Sequence, residues 1–322
     1  MKNIEVLAFR FSPTKSFFIL DQTLLPEKKK FISINHPRQM SKAIKDMKVR
    51  GANLIGITAA FSLAQYTYKN PKAKDILSLA RELKESRPTA VHLAKAVDKV
   101  LKKKSPLGKL KQALSIYESD RKACDLMAQK AQSLLSKGEG ILTYCNTGSL
   151  ATGGIGTALG VIKKAFKKKK DLHVYVCETR PCNQGSRLTF WELKQENIAC
   201  TLICDNMLAY LISQKKIHKA FVGADCISLN GDTANKIGTY NMAVICKHFK
   251  IPFYVVAPFH SIDASLKKGF SIPIELRPSK ELSFYWSQKG ADIWNPSFDV
   301  TPHKLITGIL TEKGFFKSPI KI

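Results

Sequence analysis

Three stretches of this sequence gather side chains able to do chemistry. The first runs from Thr143 to Ala158, where an apolar β-rich run passes into Cys145-Asn146-Thr147-Gly148-Ser149, then Gly153-Gly154-Ile155-Gly156 and a helical pattern. Backbone N–H groups of such a loop can hold an anion, and a thiol beside a helix N-terminus is biased toward the thiolate, a base or nucleophile. A free cysteine is also commonly a small buried apolar group, so Cys145 carries both readings at this point. No Lys follows the glycines as a Walker loop requires.

The second stretch, Glu178 to Arg187, follows the apolar run Leu172–Cys177 and offers Gln184 for hydroxyls and arginines for phosphate. For Glu178 and Arg180 a structural ion pair or a helix cap is the simpler account. The third stretch, Gly223 to Thr239, holds Asp225 at the end of an apolar run, where desolvation would raise its pKa into the range of a general acid or base. Capping a turn is the plainer role for such an Asp. Asn235 and Lys236 fall at the expected start of the next helix, where an amide, an ammonium and free N–H groups can meet a phosphate. Arg50, next to Gly51 and Ala52, and Arg87, before Pro88, each precede a helical pattern; alone they read as solvated arginines.

The elements that must position these residues follow from periodicity. From about residue 140, apolar runs at Gly140–Tyr144, Leu172–Cys177, Cys200–Ile203, Ala220–Ala224 and Pro252–Ala257 alternate with helical patterns at Gly156–Phe166, Ser186–Gln195, Met207–Ser213 and Ile237–Lys247. Such a series predicts an α/β fold with a parallel sheet, whose crossovers bring all the loops after the strands to one edge. Before residue 140 the pattern is mainly helical, at Pro37–Val49, Leu54–Tyr66, Ala73–Glu85, Thr89–Lys102 and Leu107–Leu135, with one short β element at Phe17–Leu20. The chain of 322 residues is long enough for two domains, divided as 1–121 and 122–322.

The net charge of +27, from 52 basic and 25 acidic residues, suggests an anionic partner. Its lysine runs at 28–30, 102–104 and 167–170 sit at expected element ends and lack interleaved aromatics, so a solvated basic surface is expected and a nucleic-acid partner is not. Eight cysteines without a CxxC pair read as reduced thiols, with no disulfide scaffold and no zinc site. No run approaches the roughly 18 apolar residues of a membrane span, and the chain reads as cytoplasmic.

The loops resemble those of the methylthioribose-1-phosphate isomerase family. The matching stretches include Leu20 to Pro26, Val49-Arg50-Gly51-Ala52, Arg87 to Val91, Cys145 to Gly154, Glu178-Thr179-Arg180-Pro181, Asp205-Asn206-Met207, Gly223-Ala224-Asp225, Asn230-Gly231-Asp232, Ala234 to Thr239 and Asn295 to Pro302. The resemblance implies a Rossmann-like domain after a helical N-terminal domain, and a homodimer in methionine salvage that needs no cofactor and no metal. It implies Cys145 and Asp225 as the catalytic pair, with a sugar phosphate held by Arg50, Gly51, Ala52, Arg87, Gln184, Asn235 and Lys236. Asn53-Leu54, Cys177, Cys226 and Phe259-His260 depart from the family's usual residues and bear on the pocket for the sugar's C5 substituent. Isomerases of 5-deoxyribose 1-phosphate or ribose 1,5-bisphosphate are the alternative within this chemistry. The non-catalytic regulatory subunits of a related translation initiation factor are the alternative outside it.

Overall fold

The computed structural model describes residues 3–87, 90–168, 171–282, 291–317 and 319–320. The chain forms two compact units: Met1–Asp125 with Gly148–Gly156, and Leu126–Thr147 with Thr157–Ile322. Where the sequence suggests one division near 122, the units part after Asp125, and the glycine-rich loop behind Cys145 goes with the first.

In the first unit β1 (Ile4–Glu5), β2 (Phe9–Phe11), β3 (Phe17–Leu20) and β4 (Phe31–Ser33) form an antiparallel meander in that order. Only β3 is expected from the sequence, because strands of two or three residues are too short to display a period. Their alternation is nonetheless real: Phe9 and Phe11 are buried while Arg10 turns out over Phe31 and pairs with Glu5. The helices are α1 (Pro37–Lys45), α2 (Ala52–Lys69), α3 (Ile76–Glu85), α4 (Val91–Leu101) and α5 (Pro106–Lys130), whose residues after Asp125 belong to the second unit. The run Leu54–Ala64 is buried throughout, as expected of a helix apolar on every side, so α2 is the unit's central post. Phe61 stacks on Phe11 at 4.2 Å, joining the meander to that post.

The second unit runs β5 (Gly140–Thr143), α6 (Ala158–Lys167), β6 (His173–Cys177), a π-helical turn Gly185–Thr189 leading into α7 (Phe190–Gln195), β7 (Cys200–Ile203), α8 (Leu208–Ser213), β8 (Lys219–Val222), β9 (Cys226–Ser228), β10 (Thr233–Lys236), α9 (Thr239–His248) and β11 (Phe253–Val256). It closes with β12 (Ile262–Asp263), β13 (Phe298–Thr301), β14 (Gly308–Leu310) and β15 (Phe315–Phe316). The main sheet has the order β15-β14-β11-β8-β5-β6-β7, parallel except at β15. Its inner strands are buried on both faces, which is why β5 and β11 read as unbroken apolar runs.

From β5 the chain builds outward through β6 and β7, then returns to place β8 on the other side of β5. Helices leave in opposite directions at such a reversal, and a crevice opens beyond the carboxyl ends of the two strands. The residues that follow β5 and β8 are those around Cys145 and Asp225.

A second sheet, ordered β12-β9-β10-β13, corrects the sequence reading of residues 226–236. Asn235 and Lys236 lie on strand β10, not at a helix N-terminus; α9 starts only at Thr239. The hairpin of β9 and β10 turns at Asn230-Gly231, with Gly231 at φ 87° and Asp232 N–H donating to Asn230 Oδ1. That Asn-Gly pair is the sequence signal for it. Among the described residues, no helix is long and apolar enough to cross a membrane.

Candidate active site

Cys145 lies two residues beyond β5, buried, at φ 60°. A non-glycine residue in this left-handed region is strained unless its surroundings hold it there. Both sides of its peptide are held: Cys145 N–H donates to Thr179 Oγ1 at 2.9 Å, and Thr189 Oγ1 donates to Cys145 O at 2.5 Å. Thr179, itself at φ 67°, passes its own hydroxyl proton to Cys177 O. The loops after β5 and β6 are therefore locked together. Asp205, after β7, extends the lock by accepting from the N–H groups of Thr179 and Arg180 at 2.8 and 2.7 Å and from Tyr144 OH at 3.3 Å. Burial and the neighbouring Asp205 charge push the Tyr144 phenol well above its ordinary range, which keeps it a donor.

The helix start expected beside Cys145 is already occupied. Thr147 Oγ1 accepts from Leu159 N–H at 3.1 Å and Thr147 O from Thr157 N–H at 2.8 Å, so the residue two places after the thiol caps α6. Two other buried thiols of the unit are held protonated: burial pushes Cys177 well up and Cys246 to about 12.

Asp225 sits three residues past β8, half-buried, at the entry to the hairpin. In register, Leu142 of β5 pairs with Ala220 of β8 and Thr143 with Phe221, so the two loops leave the sheet side by side. A Cβ at Gly223 would lie 2.8 Å from Thr147 Cγ2, which shows how closely the loops pass. Cys226 stands opposite Ala234 in the ladder, and Asp225 N–H also donates to Ala234 O at 2.9 Å. The hairpin thus returns the chain to Asp225 at Ala234, directly before Asn235 and Lys236. Asn235 Nδ2 donates to Thr239 Oγ1 at 3.0 Å; Lys236 Nζ donates to Ser297 O at 2.8 Å and lies 4.5 Å over the Phe298 ring.

Gln184 opens the π-helical turn after β6 and is 1% exposed, yet its Oε1 has no hydrogen-bond partner among the described residues. A buried carbonyl oxygen left so is costly, and a ligand hydroxyl is the group that would relieve it.

The remaining expected ligands belong to the first unit. Gly51, at φ 91°, is the N-cap of α2 and leaves only 2.6 Å between an added Cβ and Ala151, while Leu54 N–H donates to Ala151 O at 3.1 Å. Arg50, Gly51 and Ala52 therefore lie by the glycine-rich loop. That loop is further held by Gln22 Nε2 on Leu150 O at 2.8 Å and by Gly153 N–H on Asp120 Oδ2 at 2.6 Å. Arg87 Nη1 lies 3.2 Å from Met47 Sδ, three residues before Arg50.

Sequence reasoning missed Thr189, Glu192 and Lys163. Lys163 Nζ pairs with Glu192 Oε2 at 2.8 Å and Glu196 Oε1 at 2.7 Å, with Lys163 3% and Glu192 0% exposed. Lys163 follows Leu159 by four residues and Glu192 follows Leu188 by four, so helical spacing puts opposite charges on two buried stripes. Among the described residues, no group of three or more His, Cys, Asp or Glu is placed to hold a metal ion.

Residues 48–318 match the model of the Initiation factor 2 subunit family. The chain is 43% identical over 321 residues to the methylthioribose-1-phosphate isomerase of Desulforamulus reducens, covering 94% of this chain and 93% of that one. It superposes on the 5-methylthioribose 1-phosphate isomerase of Pyrococcus horikoshii OT3 with a TM-score of 0.89 and 36% identity, covering 98% of this chain and 93% of that one. It also superposes on the translation initiation factor eIF-2B, subunit delta, from A. fulgidus, with a TM-score of 0.84, 35% identity and coverage of 98% and 97%.

Proposed function

This chain belongs to the Initiation factor 2 subunit family, and on that footing we propose that it is an aldose-ketose isomerase converting 5-methylthioribose 1-phosphate to 5-methylthioribulose 1-phosphate in methionine salvage. The observation that carries the reading is that Cys145 and Asp225 follow the two strands at the sheet's reversal point, in a chain with near-full-length relatives named methylthioribose-1-phosphate isomerase. Phosphate on C1 rules out ring opening to a free aldehyde, so the ring must open with the phosphate retained. Asp225 gives its proton to the ring oxygen, the Cys145 thiolate removes the proton on C2, and the resulting enol keeps the C1 phosphate. Cys145 returns its proton to C1, Asp225 takes the proton of the C2 hydroxyl, and both residues end as they began. Gln184, Asn235 and Lys236 hold the sugar and its phosphate. The same role for Arg50, Gly51, Ala52 and Arg87 rests on the family resemblance alone. The reaction needs no cofactor, and we place it in the cytoplasm.

The test is turnover of purified chain on 5-methylthioribose 1-phosphate, with ribose 1,5-bisphosphate and 5-deoxyribose 1-phosphate as competitors. Cys145→Ser and Asp225→Asn each lower kcat by about 10²–10⁴ with folding retained. Full activity in either variant removes that residue from the mechanism. In D₂O the enol route puts deuterium on product C1 in every turnover in which the Cys145 thiol exchanges with solvent before it reprotonates C1, whereas a direct C2-to-C1 hydride shift puts none there, so deuterium at C1 supports the enol. The similarity to the delta subunit supports a second reading, a regulatory binding subunit; it requires that the wild-type chain turn over none of these sugars.

We also propose a homodimer. Leu202 on the edge strand β7, Met207 and Tyr210 beside and on α8, and Tyr240 and Val244 on α9, which packs on α8, are exposed large apolar side chains of the second unit.

A further inference from the structure

We infer that the buried ion pair of Lys163 and Glu192 positions Cys145 through a relay of two hydrogen-bonded side chains, Asn146 and Thr189; this rests on the reading of Cys145 as the catalytic thiol. Asn146 Nδ2 donates one proton to Glu192 Oε1 at 2.9 Å and the other to Thr189 Oγ1 at 3.2 Å. Thr189 then has its own proton free for Cys145 O, at 2.5 Å. Glu192 places its second oxygen on Lys163, which also reaches Glu196. Asn146 donates to Glu192 and to Thr189, and Thr189 donates to Cys145, so these bonds run in one direction: charge, amide, hydroxyl, carbonyl of the thiol residue.

Stability alone does not account for such a pair. Two charges taken out of water are generally no more stabilising than apolar residues of the same volume. What the apolar substitute lacks is a hydroxyl aimed at Cys145 O with its proton committed. That commitment matters because Cys145 is held at φ 60°, where its backbone would not rest unaided. The π-helical turn contributes the aim: it ends at Thr189, delivering that side chain to Cys145 while the following turn of α7 delivers Glu192 to Asn146. Extra-residue turns of this kind recur at functional sites. Lys163, Glu192, Asn146 and Thr189 are thus assigned as positioning residues that act through Cys145.

The test compares Thr189→Val, which removes the hydroxyl at nearly constant volume, with Thr189→Ser, which keeps it. Steady-state kinetics, the rate of Cys145 alkylation by iodoacetamide from pH 6 to 10 followed by peptide mass spectrometry, and thermal unfolding are measured for each. Thr189→Val is expected to lower kcat by about tenfold or more with KM nearly unchanged, as for a displaced reacting group. It is also expected to change the alkylation rate of Cys145 or move its pH profile, and Thr189→Ser restores both readouts. The double variant Lys163→Met with Glu192→Gln leaves no lone buried charge and is expected to act in the same direction. Wild-type kcat and an unchanged alkylation profile in Thr189→Val and the double variant overturn the proposal, as does a loss of activity that tracks unfolding temperature and is not restored by Ser. Alkylation reads the placement of the thiol without catalysis. A catalytically competent Cys145→Ser would therefore defeat the reading of the thiol while leaving this measurement interpretable.

Discussion

Asp299 is the side chain around Asn235 and Lys236 with the most informative titration. It stands opposite Asn235 in the ladder of β10 and β13 and accepts from the N–H groups of Gly238 and Tyr240 at 2.7 and 3.1 Å, at the start of α9. Burial pushes its carboxyl up to about 6, although those two amides and the Lys236 charge pull the other way. An unfolded Asp titrates near 4, so between about pH 4 and 6 the native chain holds a proton that the unfolded chain has lost. The contribution of this group to stability is therefore complete below about pH 4 and lost as pH rises through about 6. In a plot of urea midpoint against pH, Asp299→Asn should remove that decline; the same slope in wild type and variant would show that another group causes it.

The turn from β6 into α7 depends on one close approach. A Cβ on Gly185 would fall 1.7 Å from Cys177 O and 2.9 Å from Thr179 Oγ1, so no side chain fits between the π-helical turn and the strand end. Gly185→Ala must lift the turn away, which is an overpacking change of about 1–3 kcal/mol or more. Because Thr179 and Thr189 both hold the Cys145 peptide, the displacement reaches the thiol. We expect a lower urea midpoint together with a lower kcat; an unchanged midpoint would mean that the turn does not press on the strand. The hairpin of β9 and β10 belongs to the same level of organisation. Its turn is tied by Asp232, whose two oxygens take Asn230 Nδ2, Gly269 N–H, His303 N–H and the His303 ring, which together hold the carboxyl down to about 2 despite its burial.

For the molecule as a whole, the apolar residues Leu202, Met207, Tyr210, Tyr240 and Val244 stand out on a chain with 52 basic side chains. Multi-angle light scattering at micromolar concentration should give twice the chain mass. Tyr210→Glu with Val244→Glu should give the chain mass, since a charge in a close-packed apolar interface is left without water or partner. Wild type at the single-chain mass would reject the homodimer. The lysine runs at 28–30 and 102–104 lie in loops or just past the end of α4, as their composition suggests, and such a surface attracts phosphorylated substrates over a distance of about 8 Å at physiological salt.

By itself the sequence determined the parallel strands β5 to β8 and β11 and the helices between them, because runs and periods of that length report burial directly. It also marked Cys145 and Asp225, since loops after parallel strands must share an edge. Only the tertiary structure decided that the strand order reverses between β5 and β8, because order depends on which face each crossover takes, and no local period encodes that. It moved Asn235 and Lys236 from a helix start to a strand. Four residues with Gly and Asn nearby, flanked by three more, pair only when the partner strands β9 and β13 are present. It also disclosed the pairing of Lys163 with Glu192: helical spacing sets each on an apolar stripe, but only the closing of two helices over them shows that the two charges meet.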